Sequence, residues 1–184
     1  MDVPALKRAM RADIRARLLK LSPASRALQE ELLTAAIQDS PEWRAARSVL
    51  LYRSVPPEFS TVGLANGAWR ASKRVLFPRV TPDGLSLHAV DGWHGFEAGP
   101  LGIPQPVGKA PVAPEEIDLA TVPGVAWDRA GGRLGRGGGH YDRLMPRLRL
   151  AWGIGFDQQL VPHVPRESHD RLVHRAWAPL LLET

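Results

Sequence analysis

The order of apolar runs along the chain predicts an α/β fold, a largely parallel sheet flanked by helices. Three observations carry that expectation. Six short apolar runs, such as Ser48–Tyr52 (SVLLY), are too brief for helices and suit strands buried on both faces. Between several of them lie stretches with helical spacing. The 184 residues are an ordinary length for one domain, so residues 1–184 are expected to fold as a single unit.

The elements follow in order. Residues 5–20 place Leu6, Met10, Ile14 and Leu18 four apart with basic residues between them, the mark of an amphipathic helix. Ser22-Pro23 reads as an N-cap and first-turn proline opening a second helix through about Gln38, and Ser40-Pro41 breaks that pattern. After the Ser48–Tyr52 strand, Thr61–Arg70 is a helix weakened by Gly63 and Gly67. Val75–Phe77 and Leu85–Ala89 are strands separated by a Thr-Pro-Asp-Gly turn. Residues 91–114 are rich in glycine and proline and read as a long connection. Asp118–Val122 is a strand ended by Pro123-Gly124. Residues 131–139 hold six glycines in nine positions, and a helix is expected from near Tyr141 toward Leu148. Ala151–Phe156 and, more weakly, Leu172–Trp177 complete the sheet.

Composition narrows the function. With 44% hydrophobic and 23% charged residues, the chain matches ordinary soluble globular proteins. It has no cysteine, which removes disulfide and thiolate chemistry and leaves any metal to oxygen or imidazole ligands. The net charge is +5, and only four of the 24 basic residues are lysine. Because the basic residues are spread along the chain rather than blocked, a compositional habit accounts for them better than an anionic partner. No RNA-recognition, zinc-finger or helix-turn-helix signature occurs, which argues against a nucleic-acid-binding module. Residues 1–10 lack the apolar run of a signal peptide, and no apolar stretch nears the roughly 20 residues of a membrane span. A cytoplasmic enzyme is expected. The six histidines have no zinc-ligand spacing, and no Gly-x-Ser-x-Gly elbow occurs.

The strongest local signal is residues 118–143, DLATVPGVAWDRAGGRLGRGGGHYDR. A strand leads through a glycine-rich loop into a helix, an arrangement that lets backbone N–H groups and a helix N-terminus converge on phosphate. Arg133 and Arg136 add bidentate donors for phosphate oxygens. Neither standard phosphate motif is present, since a Gly-x-Gly-x-x-Gly frame begun at Gly135 meets His140. A flexible surface loop is the competing reading. Asp142, directly after the loop, suits a Mg²⁺ ligand or a helix N-terminal acid. Asp170, in Glu167-Ser168-His169-Asp170, is either a second carboxylate near the C-terminal ends of the strands or a turn or cap residue. Lys7 and Arg11 share a helix face and either clamp a polyphosphate or solvate that face. Glu58 sits beyond the C-terminal end of the first strand, where open α/β sheets bind ligands; a surface acid in an exposed proline-rich turn is the alternative.

Taken together, these segments resemble the 5-formyltetrahydrofolate cyclo-ligase family, also called methenyltetrahydrofolate synthetase. The matching features run in order: Lys7-x-x-x-Arg11, Glu58 with Thr61, Lys73 and Pro78-Arg79, Gly102-Ile103-Pro104-Gln105-Pro106, the 118–143 block, Phe156, and Pro165 to Asp170. The resemblance implies a three-layer, sugar-isomerase-like domain. It also implies ATP-dependent conversion of 5-formyltetrahydrofolate, with or without a polyglutamate tail, to 5,10-methenyltetrahydrofolate, ADP and phosphate; a monomer is the separate expectation for its assembly. By match, Lys7 and Arg11 touch ATP phosphates. Arg133, Leu134, Gly135, Arg136, Gly137, Gly138, Gly139, His140 and Tyr141 wrap the triphosphate. Arg136 and Asp142 act at the reacting centre, Asp142 and Asp170 serve Mg²⁺, and Glu58 holds the folate ring beside Val55, Gly138 and His140. Four positions depart from the family's usual residues: Ser60, His140, His174 and Ala178. They keep open a nucleotide-binding relative of the same fold with another substrate or no catalysis.

Overall fold

Capping residues start each of the long helices. In the computed structural model, which describes residues 2–99, 102–107 and 110–182, helix α1 spans Val3–Leu19 and Asp2 accepts the Ala5 N–H at 2.8 Å. Helix α2, Pro23–Asp39, is capped by Ser22, whose Oγ accepts the Ser25 N–H at 3.1 Å. Ser40 does more than break the pattern. Its hydroxyl donates to Ile37 O at 2.7 Å and accepts the Trp43 N–H at 3.4 Å, closing α2 and opening a short α3, Pro41–Ala45. One hydroxyl, both donor and acceptor, serves both ends.

The apolar stripe of α1 also needs correction. Ile14 and Leu18 are buried, but Leu6 is 39% exposed and Lys7 is buried in its place. Strict four-residue spacing drifts by about 40° per step on a helix of 3.6 residues per turn, so Leu6 rotates off the face that Ile14 and Leu18 share.

Six strands form one sheet: β1 (Ser48–Leu50), β2 (Arg74–Thr81), β3 (Gly84–Ala89), then β6 (Leu119–Val122), β9 (Ala151–Ile154) and β10 (Arg175–Trp177). Their order is β10-β9-β6-β1-β2-β3, parallel throughout except for the β2–β3 hairpin. Alternating side chains send Val49 and Leu51 into one core and Leu50 into the other. The first core lies under α1, α2 and α4 (Val62–Arg70); the second lies against Leu144, Met145 and Leu148. This is the predicted three-layer arrangement.

The two glycines that weaken α4 on propensity are required by packing. Gly63 and Gly67 face Thr34 and Gln38 of α2, and a Cβ on Gly67 would run into the Gln38 amide, which donates to Gly63 O at 3.0 Å. Residues 91–114 are not structureless where described. They contain a ribbon of β4 (Phe96–Glu97) and β5 (Gln105–Pro106), pinned by Phe96 edge-on to Phe77 at 5.0 Å and Trp93 edge-on to Trp69 at 4.9 Å. A second unpredicted ribbon, β7 (Ala126–Trp127) with β8 (Arg133–Leu134), carries the glycine-rich segment. Helix α5 covers only His140–Leu144, because Pro146 cannot donate to continue it and a 3₁₀ turn follows at Met145–Arg147.

Candidate functional site

The parallel strands β1 and β6 end beside the glycine-rich loop, and two cavities open there. A larger one of about 320 Å³ lies among Tyr52, Val55, Glu58, apolar residues of β2 and β3, and the loop. A smaller one of about 280 Å³ lies among Lys7 and Arg11 of α1, the loop, and the Glu167–Asp170 segment. Gly135, Gly137, Gly139 and Asp142 line both, so the loop forms the wall between them. That wall is thin because it is glycine. Gly137 (φ 108°) and Gly139 (φ 66°) adopt left-handed backbone that side-chain-bearing residues rarely take. Gly139 in that conformation delivers the chain into α5.

Glu58 is the first correction at the site. Far from being exposed, its side chain is only 13% accessible, because the turn closed by Glu58 N–H to Val55 O (2.9 Å) folds the acid inward. Its Oε2 accepts the Val55 N–H at 3.1 Å, and its Oε1 meets Arg136 Nη2 at 2.7 Å. Burial pushes the carboxyl above its ordinary 4.5, against the pull of Arg136 and the Val55 N–H. Tyr52 and Tyr141, both lining this cavity, are also driven upward, chiefly by burial and then by the Glu58 charge. The turn is held from behind. Tyr52 Oη donates to Phe59 O at 3.0 Å, Thr61 Oγ1 to Tyr52 O at 2.7 Å, and Arg26 Nη1 to Pro57 O at 3.1 Å.

Along the loop the predicted residues divide. Arg133 is turned inward with its side chain 4% accessible, bonding Asp142 Oδ2 at 2.7 Å and Pro123 O at 3.1 Å. Leu134 is a core residue. Arg136 is half exposed and bonds Glu58 in the larger cavity. Gly135 O accepts from Arg11 Nε at 2.9 Å, which ties α1 to the loop. Gly138, His140 and Tyr141 line only the larger cavity, with His140 Nδ1 3.2 Å from Arg143 Nη2.

In the smaller cavity Lys7 Nζ lies 2.8 Å from Glu167 Oε2 and 2.6 Å from Asp170 Oδ2. Burial opposes the charge of Lys7, but the bonds to Asp170 and Glu167 outweigh it and raise its pKa. Burial likewise opposes the charge of Asp170, yet Lys7 and the Glu167 N–H at 2.6 Å leave its carboxyl below the ordinary 3.8. Glu167, His169 and Asp170 present ligand atoms within 4.8 Å of one another, a geometry able to hold a metal ion. Asp142 borders the same cavity but is paired with Arg133, so it and Asp170 are neighbours rather than one cluster. Glu167 and His169 were not anticipated as ligands, although they stand beside Asp170 in sequence. Of the apolar walls, Val80 and Leu85 were missed, and Pro78 and Ile103 carried the family resemblance without a role, because they come from strand and loop segments that only the fold brings together.

A glycine wall between an apolar pocket with a buried acid and a pocket of opposed charges, at the strand ends of a parallel sheet, is the arrangement of an α/β enzyme with room for two ligands side by side. The 5-formyltetrahydrofolate cyclo-ligase family profile matches residues 3–179, and this chain belongs to that family. It is 30% identical to the 5-formyltetrahydrofolate cyclo-ligase of Haemophilus influenzae, over 87% of this chain and 92% of that protein. With the mouse enzyme of the same name it shares 27%, over 94% and 93% of the two chains. Its structure superposes on the 5,10-methenyltetrahydrofolate synthetase of Aquifex aeolicus with a TM-score of 0.86 at 30% identity, covering 94% of this chain and 89% of that one. The synthetase of Mycoplasma pneumoniae shares the fold, with a TM-score of 0.72 at 18% identity.

Proposed function

We propose that this chain catalyses the ATP- and Mg²⁺-dependent conversion of 5-formyltetrahydrofolate to 5,10-methenyltetrahydrofolate, with ADP and phosphate as co-products. The observation that carries the reading is the pair of cavities sharing one glycine wall, which brings a ring-sized apolar pocket against a charged one. The folate ring enters the larger cavity, where the buried Glu58 carboxylate accepts its N–H donors and Val55, Gly138 and His140 complete the wall. The triphosphate lies in the smaller cavity against Lys7, Arg11 and the backbone of residues 135–139.

The chemistry explains the division. A formyl oxygen on nitrogen is a poor leaving group. Transfer of the γ-phosphoryl group onto it, with ADP leaving, produces an iminium phosphate; nitrogen ten of the folate attacks its carbon, closing the ring and giving up its proton, and phosphate then departs. The protein's work is alignment and charge neutralisation. Arg136, half exposed on the wall, is placed to leave Glu58 for the transferring phosphoryl oxygens. A Mg²⁺ ion would neutralise charge on the triphosphate. Lys7 already holds a positive charge between Glu167 and Asp170, so these carboxylates fit a cation, and Asp142 borders the same space.

Of the four departures from the family pattern, only His140 lines either cavity. Ser60 donates its N–H to Glu30 at 3.2 Å, His174 Nδ1 accepts from Ala151 N–H at 3.0 Å, and Ala178 is fully buried. The substrate reading therefore survives three of the four. No helix among the described residues is long and apolar enough to cross a membrane. We place the protein in the cytoplasm as a monomer with no nucleic-acid partner; retention of nucleic acid on a filter that weakens steeply with salt would overturn the last point.

The decisive test incubates the protein with 5-formyltetrahydrofolate and Mg-ATP and follows the methenyl product by absorbance. Turnover should need both ATP and a divalent cation. Equal product in excess chelator removes the metal from the scheme, and ATP binding without turnover favours the relative with another substrate.

A further inference from the structure

Three arginines line the larger cavity, and two of them are paired: Arg133 with Asp142 and Arg136 with Glu58. Arg53, just beyond β1, has no carboxylate partner among the described residues. Its guanidinium stands 5.1 Å from the centre of the Trp93 ring and 5.9 Å from that of Phe96. Its Nε is buried and has no hydrogen-bond partner. Aromatic faces attract a cation but neither accept its N–H bonds in line nor neutralise it. Of the cavity walls, Pro78, Val80, Leu85 and Ile103 are apolar and supply no acceptor side chain, and the Gln105 amide does not bond the Arg53 Nε. A guanidinium held in place with donors unused, beside an apolar pocket, is arranged for an anion that arrives with the ligand.

The folate reading of this pocket, on which the inference rests, names the candidates. A reduced folate carries N–H donors on its pterin, which suit Glu58, and an aminobenzoyl ring, which suits the apolar walls. Its fixed anions are the carboxylates of the glutamyl end. Arg53 lies against Trp93 and Phe96, which are not among the residues lining the cavity, whereas Glu58 is held by Arg136 of the glycine loop, so Arg53 is left to meet a part of the ligand other than the one Glu58 holds. We infer that Arg53 is a specificity residue that binds a carboxylate of the glutamyl end of the folate.

The test compares 5-formyltetrahydrofolate with 5-formyltetrahydropteroate, the same molecule without its glutamate, in the full chain. The parent protein should show a KM lower for the glutamylated compound by about ten- to a hundredfold, the worth of a charge-assisted contact. Arg53→Gln should erase that preference by raising KM for the glutamylated compound, while Arg53→Lys should keep part of it. Added salt should raise the parent's KM for the glutamylated substrate and barely move that of Arg53→Gln. An intact preference in Arg53→Gln overturns the inference, as does equal weakening of both substrates, which would make Arg53 a wall residue. A fall in kcat alone would place it at the reacting centre instead. Should neither variant fold, as judged by melting, the parent still decides: no preference between the two compounds rejects the assignment. A parent that binds ATP but turns over neither compound refutes the folate reading itself, a distinct result.

Discussion

Glu58 is a buried carboxylate, and its proposed contact with the pterin and its burial each have a testable consequence. Glu58→Gln preserves size but removes the charge offered to the pterin. A charge-assisted hydrogen bond is worth about 1.5–3 kcal/mol, so KM for folate should rise about ten- to a hundredfold with little change in KM for ATP. Kinetics with each substrate varied separately check this. A replacement that handles folate like the parent would show that Glu58 does not hold the ring. The acid's burial adds a pH signature. Its pKa is raised, so the folded state takes up a proton before the unfolded chain does. Stability linked to Glu58 therefore falls as pH rises through the window between 4.5 and the raised value, and the cost of the buried charge persists above it. Folate recognition runs the other way, weakening as acid protonates Glu58. Binding curves from pH 4 to pH 7 should show the parent losing folate affinity toward low pH, while Glu58→Gln stays flat. The alternative of a surface acid in an exposed turn does not survive its 13% accessibility and its bonds to Arg136 and Val55.

At the scale of elements, α1 joins the two ends of the chain at the smaller cavity. Lys7 reaches Glu167 and Asp170 more than 150 residues away in sequence, and Arg11 reaches Gly135. Lys7 and Asp170 are 10% and 13% accessible, so removing either strands the other's charge in a poorly hydrated place. A double-mutant cycle of Lys7→Met and Asp170→Asn, read by denaturant unfolding, should give a coupling of about 1–2 kcal/mol. The Asp170 share is present above its unfolded pKa and lost as pH falls through its depressed folded value. The Lys7 share is lost only as pH rises through its raised value, above 10.5. Additive single effects would show that the pair is decorative. The same geometry marks what sequence reading reaches and where it stops. Helix caps at Ser22 and strand runs such as Ser48–Tyr52 are local, so composition and spacing reveal them. The glycine loop, Glu58 and the Lys7–Arg11 face are legible as candidates because their residue types suit phosphate and folate. Their partners are another matter. That Lys7 is buried while Leu6 is exposed depends on the helix's rotation against the sheet. Likewise, Arg133 turning inward to Asp142 depends on a β7–β8 ribbon whose strands are too short to leave a periodic signal. Arg53 was invisible for the same reason, since nothing adjacent in sequence announces Trp93 and Phe96 beside it.

For the whole molecule, the proposed division of the site at the shared wall predicts that two ligands stabilise one fold through different residues. A ligand that binds only the native state adds about 2.7 kcal/mol when present at a hundred times its Kd. For a chain of this length that corresponds to a rise in Tm of about 5–10 °C. Mg-ATP and 5-formyltetrahydrofolate should each raise the Tm, and a non-hydrolysable ATP analogue given with folate should raise it further. Lys7→Ala combined with Arg11→Ala should abolish the nucleotide shift and keep the folate shift, since those residues line only the smaller cavity. The same pair should raise KM for ATP far more than KM for folate. Glu58→Gln should do the reverse, because its carboxylate lines only the larger cavity. Differential scanning fluorimetry on three proteins with two ligands checks the full pattern. If both variants lose both shifts equally, the glycine wall does not divide the site, and the ligands share one pocket. If the selective pattern holds, the wall of Gly135, Gly137 and Gly139, with Asp142 bordering both cavities, is where the two ligands meet and where a phosphoryl group passes between them.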